Sequence, residues 1–279
     1  MVMDALNELF GAVEELMKLP YEESVRLAVE KLLGVNIARA FEESNRILCV
    51  APHPDDCELG AGGTIASLSR SGKEVYIVVA TDGGLGTYDP EMHPSQLAEI
   101  RRKEQLEAAR LMGVKQVYWL GYRDGFMPYD AEARSRLITL FRLLKPDVVL
   151  APDPWLPYEA HPDHRHTGLL AAEAALVSGL PHFNEEDLRA GLKPWSTRFI
   201  AFYYTHRPNY YHDITETIEV KLEALKAHRS QFTSNWSYWE FYVKFTAALN
   251  GRAINTEYAE AFKLLPTVLL HVAPFAEVF

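Results

Sequence analysis

Apolar and polar positions along the chain change period more than once, and each change marks an element. Leu6, Leu9, Phe10, Val13 and Met17 recur at helical spacing up to Pro20, and YEESVRLAVEKLLG predicts a second helix closed by Gly34. RILCVAP is then a short continuous apolar run, hence a strand, and GTIASLSRSG a helix ending at Gly72. EVYIVVATDGG is rich in β-branched residues and stopped by Asp-Gly-Gly, which predicts a second strand. PSQLAEIRRKEQLEAARLMGV follows as a long amphipathic helix. QVYWLG, DAEARSRLITLFRLLKP, DVVLAP and DHRHTGLLAAEAALVSGL continue as strand, helix, strand and helix. Beyond Leu180 the pattern loosens: RFIAFYYTH reads as a strand, ETIEVKLEALKAHRSQF as a helix, and SNWSYWEFYVKFTAALNGRAINTEYAEAFKLL as an aromatic-rich helical tail.

Strands that are apolar throughout and alternate with helices predict an α/β fold, a mostly parallel sheet with helices on both faces. There is no repeat, low-complexity segment or polar linker, so one domain is expected over 1–279: a helical extension at 1–45, a core at 46–231 and a tail at 232–279. In such sheets ligands sit beyond the carboxyl ends of the strands. Every polar cluster of note follows a strand: His53 to Asp56, Asp82 to Gly86, Arg123 with Asp124, and His161 to His166.

Composition changes this picture mainly by exclusion. A net charge of −10 argues against nucleic acid and against an anionic membrane surface, since both require clustered Lys and Arg. The longest weakly charged stretch, Gly168 to Leu180, is interrupted by Glu173 and is too short to span a bilayer. With no basic, hydrophobic leader at the start, the chain reads as soluble and cytoplasmic. Its two cysteines, Cys49 in the apolar run and Cys57 beside the acidic cluster, form no CxxC pair, so neither a disulfide framework nor a thiolate zinc site is expected.

The candidate chemistry lies in two tripeptides. His53-Pro54-Asp55-Asp56 follows the first core strand, and His161-Pro162-Asp163-His164 follows the fourth. Residues three apart in a tight loop converge on one point, which pairs His53 with Asp56 and leaves Asp55 beside them. His161 and His164 repeat that spacing. Imidazole and carboxylate are both good ligands for a divalent metal, and a catalytic zinc keeps three protein ligands and an open position. Zinc is the first choice, with iron, cobalt and manganese compatible with the same ligand types. The bland alternative is a pair of strand-to-helix turns with an Asp cap and solvated histidines, which would not explain the same tripeptide twice.

Gly60–Gly63 with Asp82 imitates a dinucleotide fingerprint, the basis of an alternative oxidoreductase reading. The third glycine of that motif is missing, with Ile65 in its place, and Asp55 and Asp56 would repel a pyrophosphate. These glycines are instead expected to let a helix approach the sheet closely. No serine-nucleophile elbow or phosphate loop occurs. Arg101 ordinarily would be one solvated residue of an amphipathic helix and Asp124 a turn residue before Gly125. Among the other histidines, His228 and His271 are better placed to matter than His93, His182, His206 and His212.

In order along the chain, APHPDDCE, TDGG, Arg101 to Glu104, LGYRDG, HPDHRHTG and KAHRSQ resemble the LmbE-like, or PIG-L, N-acetylglucosamine deacetylases over roughly residues 46–231. That resemblance implies a Rossmann-like domain and zinc-dependent removal of acetyl from a GlcNAc unit. It implies His53, Asp56 and His164 as metal ligands, Asp55 as general base, His161 as general acid or oxyanion donor, and Arg101 and Asp124 as holders of sugar hydroxyls. Two positions depart from the family pattern: Cys57 stands where Glu is usual, with Glu58 one step later, and Glu159 stands where some relatives carry a tyrosine that assists the oxyanion. His271, from a neighbouring subunit, is a substitute for that tyrosine. Within the family the chain looks most like the archaeal diacetylchitobiose deacetylases of chitin breakdown, which implies a homo-oligomer, a hexamer in those relatives. A metal-dependent amidase acting on another glucosamine-type conjugate is the alternative.

Overall fold

The computed structural model describes residues 11–13 and 15–279. Leu6, Leu9 and Phe10, on which the first predicted helix rests, lie outside the described residues. Helix α1 (Tyr21–Leu33) ends at Gly34, whose φ of +63° lets its N–H turn back to the carbonyl of Glu30. Strand β1 (Arg46–Ala51) leads into α2 (Asp56–Arg70), β2 (Glu74–Thr81), α3 (Pro94–Leu111), β3 (Gln116–Tyr122), α4 (Ala131–Leu144), β4 (Val148–Pro152) and α5 (Pro162–Val177). The short α6 (Glu185–Arg189) precedes β5 (Phe199–Tyr203), β6 (Tyr210–Asp213), α7 (Ile218–Ala227), α8 (Arg229–Phe232), α9 (Trp236–Gly251) and β7 (Ala259–Pro266).

The seven strands of the described residues run in the order β3-β2-β1-β4-β5-β7-β6. Strands β1 to β5 are mutually parallel, and β7 pairs antiparallel with both β5 and β6. The expected mostly parallel sheet is present. β1 is buried from Ile47 to Ala51 and β4 along its whole length, as an apolar run covered on both faces requires. The chain steps outward from β1 to β2 and β3, then returns to the other side of β1 as β4. The crevice between the carboxyl ends of β1 and β4 is therefore the topological switch point.

Two expectations need correction. The region beyond α9 is not helical: it forms β7, which lies between β5 and β6 inside the sheet. Its charged residues imitate a helix face, yet Glu260 and Lys263 are both buried and hydrogen-bonded. Helix α2 also begins at Asp56, earlier than the run GTIASLSRSG suggests, and so takes Asp56 into its first turn. The glycines inside it act as expected. A Cβ on Gly60 would overlap the ring of Tyr203, and one on Gly63 would lie 2.8 Å from Ile214.

Candidate active site

The two tripeptides meet in the crevice. His53 and Asp55 lie in the loop between β1 and α2, and His161 caps α5, its Nδ1 accepting the Asp163 N–H at 3.3 Å. His53 Nδ1 is 3.1 Å from Asp56 Oδ2, and that oxygen is 3.4 Å from His164 Nε2. Around a tetrahedral zinc, ligand atoms at ~2.0–2.1 Å from the metal sit about 3.3 Å from each other, so both separations match ligand spacing, and one ligand atom from each of the three residues lies within 4.8 Å of the others. The opposite side of His53 supports the same reading. Its Nε2 is 3.2 Å from both Asp163 Oδ2 and Asp124 Oδ1, acceptors that assign the hydrogen to Nε2 and free the Nδ1 lone pair. His53, His161 and Asp163 form a second cluster of ligand-type groups. There, however, Asp163 is occupied: its carboxylate accepts the N–H groups of Gly125 at 2.7 Å and Met127 at 3.0 Å.

Burial and charge tune these groups in opposite directions. Burial alone would depress the His53 imidazole, but hydrogen bonds to Asp124, Asp163 and Asp56 hold it well above its ordinary value. Burial would likewise raise Asp56, yet His164 and His53 pull its carboxyl well below the usual range. Asp55 goes the other way: burial raises it, opposed by the Arg101 guanidinium. His161 is lowered, first by burial and then by its neighbours His53 and His164.

Arg101 and Asp124 both line the cleft, each already engaged by protein groups. Arg101 Nη1 donates to Gly83 O at 2.8 Å, and Nη2 to Pro54 O at 2.6 Å and Asp55 Oδ2 at 2.9 Å. Asp124 Oδ2 accepts the Leu85 N–H at 3.0 Å. The cleft measures about 290 Å³, and its far wall is built by Leu59, Gln231, Phe232 and Trp239, the last three from α8 and α9.

One further group at the site carries almost no sequence signal of its own. Tyr204, just past β5, stacks on His164 with an interplanar angle of 9° and points its hydroxyl at Asp56. Its place after a strand end was the one available sign. Glu159 faces His164 Nδ1 at 3.4 Å, so the position where some relatives have tyrosine instead carries a carboxylate behind a candidate ligand. His271 lies beyond the end of β7 and is not among the residues that line the cleft. The cysteine expectation is overturned: Cys49 and Cys57 form a disulfide. It ties β1 to the first turn of α2 and brackets the loop that carries His53, Asp55 and Asp56. Both residues are fully buried, a proximity that the absence of a CxxC spacing could not reveal.

A mostly parallel α/β sheet with a His–Asp–His cluster at its switch point defines the class: an α/β protein with a candidate metal centre. The pattern of the PIG-L family, described as GlcNAc-PI de-N-acetylase, matches residues 48–175, which span β1 to α5 and both tripeptides. The chain is 44% identical over 259 residues to the diacetylchitobiose deacetylase of Thermococcus kodakarensis, covering 92% of this chain and 97% of that one. It is 30% identical over 204 residues to a probable N-acetyl-α-D-glucosaminyl L-malate deacetylase 2 of Bacillus anthracis, covering 70% of this chain and 84% of that one. The solved structure of the N,N′-diacetylchitobiose deacetylase from Pyrococcus horikoshii superposes with a TM-score of 0.88 at 46% identity, over 94% of this chain and 98% of the other. This chain belongs to the PIG-L family of deacetylases.

Proposed function

We propose that the protein is a zinc-dependent deacetylase that removes the acetyl group from a GlcNAc unit, with diacetylchitobiose or GlcNAc in chitin degradation as substrate. The observation that carries the zinc site is the convergence of His53 Nδ1, Asp56 Oδ2 and His164 Nε2 at ligand spacing, with two carboxylates behind His53. The substrate class is supported by the two diacetylchitobiose deacetylases that this chain resembles over nearly its whole length. A zinc ion held there supplies Lewis-acid polarisation of the acetyl carbonyl and lowers the pKa of a water.

The remaining chemistry belongs to the chain. Asp55 sits beside the ligand set with a raised pKa, so it takes the proton of the attacking water as general base. His161 keeps Nδ1 as the acceptor of the α5 cap, which leaves Nε2–H to donate to the developing oxyanion. Trp239 and Phe232 offer apolar surface to the C–H face of a pyranose, while Arg101 and Asp124 line the same cleft as candidate partners of the sugar hydroxyls.

A homo-oligomer is part of this reading. Tyr238, Phe241, Phe245 and Leu249 are exposed along α9, a stripe suited to a second copy, and a His271 from such a copy is the candidate partner for the oxyanion. The cytoplasmic setting is retained, with the disulfide shielded from reductants by full burial.

The test is acetate release from N-acetylglucosamine and from diacetylchitobiose, before and after chelation and again with zinc restored. Zinc-restored release is expected from both, and Asp55→Asn should keep metal stoichiometry while losing about 10²–10⁴ in turnover. A metal-loaded protein inert on both sugars would shift the assignment to an amidase acting on another glucosamine-type conjugate.

A further inference from the structure

Beneath the cleft floor lies a chain of polar groups that the proposed reaction does not use. Gln105, Glu58 and His228 are each fully buried. Above them Asp55 adopts φ +109° and ψ −23°, a left-handed conformation that a residue with a Cβ keeps only when its surroundings hold it. Helix α3 supplies two of the contacts that hold it, one turn apart on the same face. Arg101 takes the carboxylate, and Gln105 Oε1 accepts the Asp55 N–H at 3.1 Å.

A glutamine amide can sit either way round, and here its second neighbour decides. Gln105 Nε2 donates to Glu58 Oε1 at 2.6 Å. A carboxylate only accepts, so the flipped amide would set oxygen against oxygen at Glu58 and N–H against N–H at Asp55. Glu58 in turn directs Oε2 towards His228 Nε2 at 3.7 Å, and neither of those atoms has a hydrogen-bond partner among the described residues. His228 stands at the junction of α7 and α8, and its carbonyl accepts the N–H groups of Gln231 and Phe232, which line the cleft. The chain of contacts thus runs from the far wall of the cleft, under its floor, to the backbone of the general base.

We propose that Glu58 and Gln105 are positioning residues for catalysis: Glu58 fixes the direction of the Gln105 amide, and that amide pins the strained backbone of Asp55 so that its carboxylate faces the attacking water. Neither residue lies among the atoms that line the cleft, so they act through Asp55 and not on substrate. The assignment of a catalytic effect rests on the deacetylase reading above.

A reciprocal swap tests the inference. In Gln105→Glu two carboxylates face each other. In the double variant Gln105→Glu/Glu58→Gln the complementarity is restored in reverse. The amide introduced on α2 can donate to the carboxylate introduced on α3, and that carboxylate still accepts the Asp55 N–H. Gln105→Glu is expected to lower kcat roughly ten- to a hundred-fold, as an ångström-scale misplacement of a catalytic group does. KM and metal stoichiometry should stay within about two-fold, and the double variant should recover most of the loss. A purely structural role would give loss of Tm and metal without that split in kcat. Exchange of the Asp55 amide hydrogen gives a readout independent of turnover. It should be slow in the wild type, faster in Gln105→Glu and slow again in the swap. Unchanged exchange in the single variant, or a kcat within about two-fold of wild type, would overturn the inference. Absence of acetate release from wild-type protein would sink the deacetylase reading alone, leaving the exchange measurement to decide whether Gln105 pins Asp55.

Discussion

Asp55 and Asp56 are neighbours with opposite electrostatics, and the difference comes from which cations each one meets. Asp56 faces two imidazoles and is pulled down, while Asp55 is raised by burial, opposed chiefly by the Arg101 guanidinium. A carboxylate whose pKa is raised is a stronger base, provided the working pH still lies above that pKa. With Asp55 as the proposed general base, Arg101 is expected to set the acid limb of the pH profile. A cation favours the ionised carboxylate, so removing it by Arg101→Met raises the Asp55 pKa further. The acid limb of kcat/KM is then expected to move to higher pH, while the alkaline limb stays in place. A profile whose acid limb is unmoved, or displaced to lower pH, would show that Asp55 is not the group being titrated.

The element that brings these residues together is α2, which starts at Asp56 and then crosses the sheet at very short range. Gly60 and Gly63 make that approach possible, because the side chains of Tyr203 and Ile214 occupy the space where their Cβ atoms would be. Tyr203 cannot easily move aside: it is fully buried and donates its hydroxyl hydrogen to Val50 O at 2.8 Å. In an exposed helix Gly→Ala is stabilising by about 1 kcal/mol. Here Gly60→Ala is expected to reverse that sign and cost roughly 1–3 kcal/mol through overpacking, measured as a fall in the urea unfolding midpoint. A stabilised Gly60→Ala would mean that α2 has room to lift from the sheet.

Across the whole molecule, β7 joins the C-terminal region to that same helix. Glu260 on β7 accepts the N–H groups of Gly63 at 3.0 Å and Thr64 at 2.7 Å and pairs with Lys221 of α7, whose Nζ also donates to Leu59 O at 2.8 Å. Glu260 and Lys221 are both buried, so losing one partner strands a charge. Glu260→Ala is expected to cost about 3–5 kcal/mol, and Glu260→Ala with Lys221→Met less than the single change, because no unpaired ammonium is left. Equilibrium denaturation of the two variants compares them directly. Equal losses would show that Lys221 finds water or another partner when Glu260 is removed.

The sequence by itself determined the five parallel strands, the helices between them and the two polar tripeptides after β1 and β4. Those features rest on local pattern, namely uninterrupted apolar runs, helical periodicity and short spacings within one loop, and such signals survive without any partner in view. It also pointed to Asp55, Asp56, His53, His161 and His164 through repetition of the same tripeptide at two strand ends. Other features depended on contacts between distant segments. Glu260 and Lys263 read as a helix surface until Lys221, the α2 amides and the C-terminal carbonyls satisfy them inside a strand. Cys49 and Cys57 carried no pairing signal, because only the turn from β1 into α2 brings them together. Tyr204, Glu58 and Gln105 became part of the site only when β5, α2 and α3 were assembled around the switch point. Tertiary structure decided these features because a buried polar group is defined by the partner it meets, and that partner lies far away in the chain.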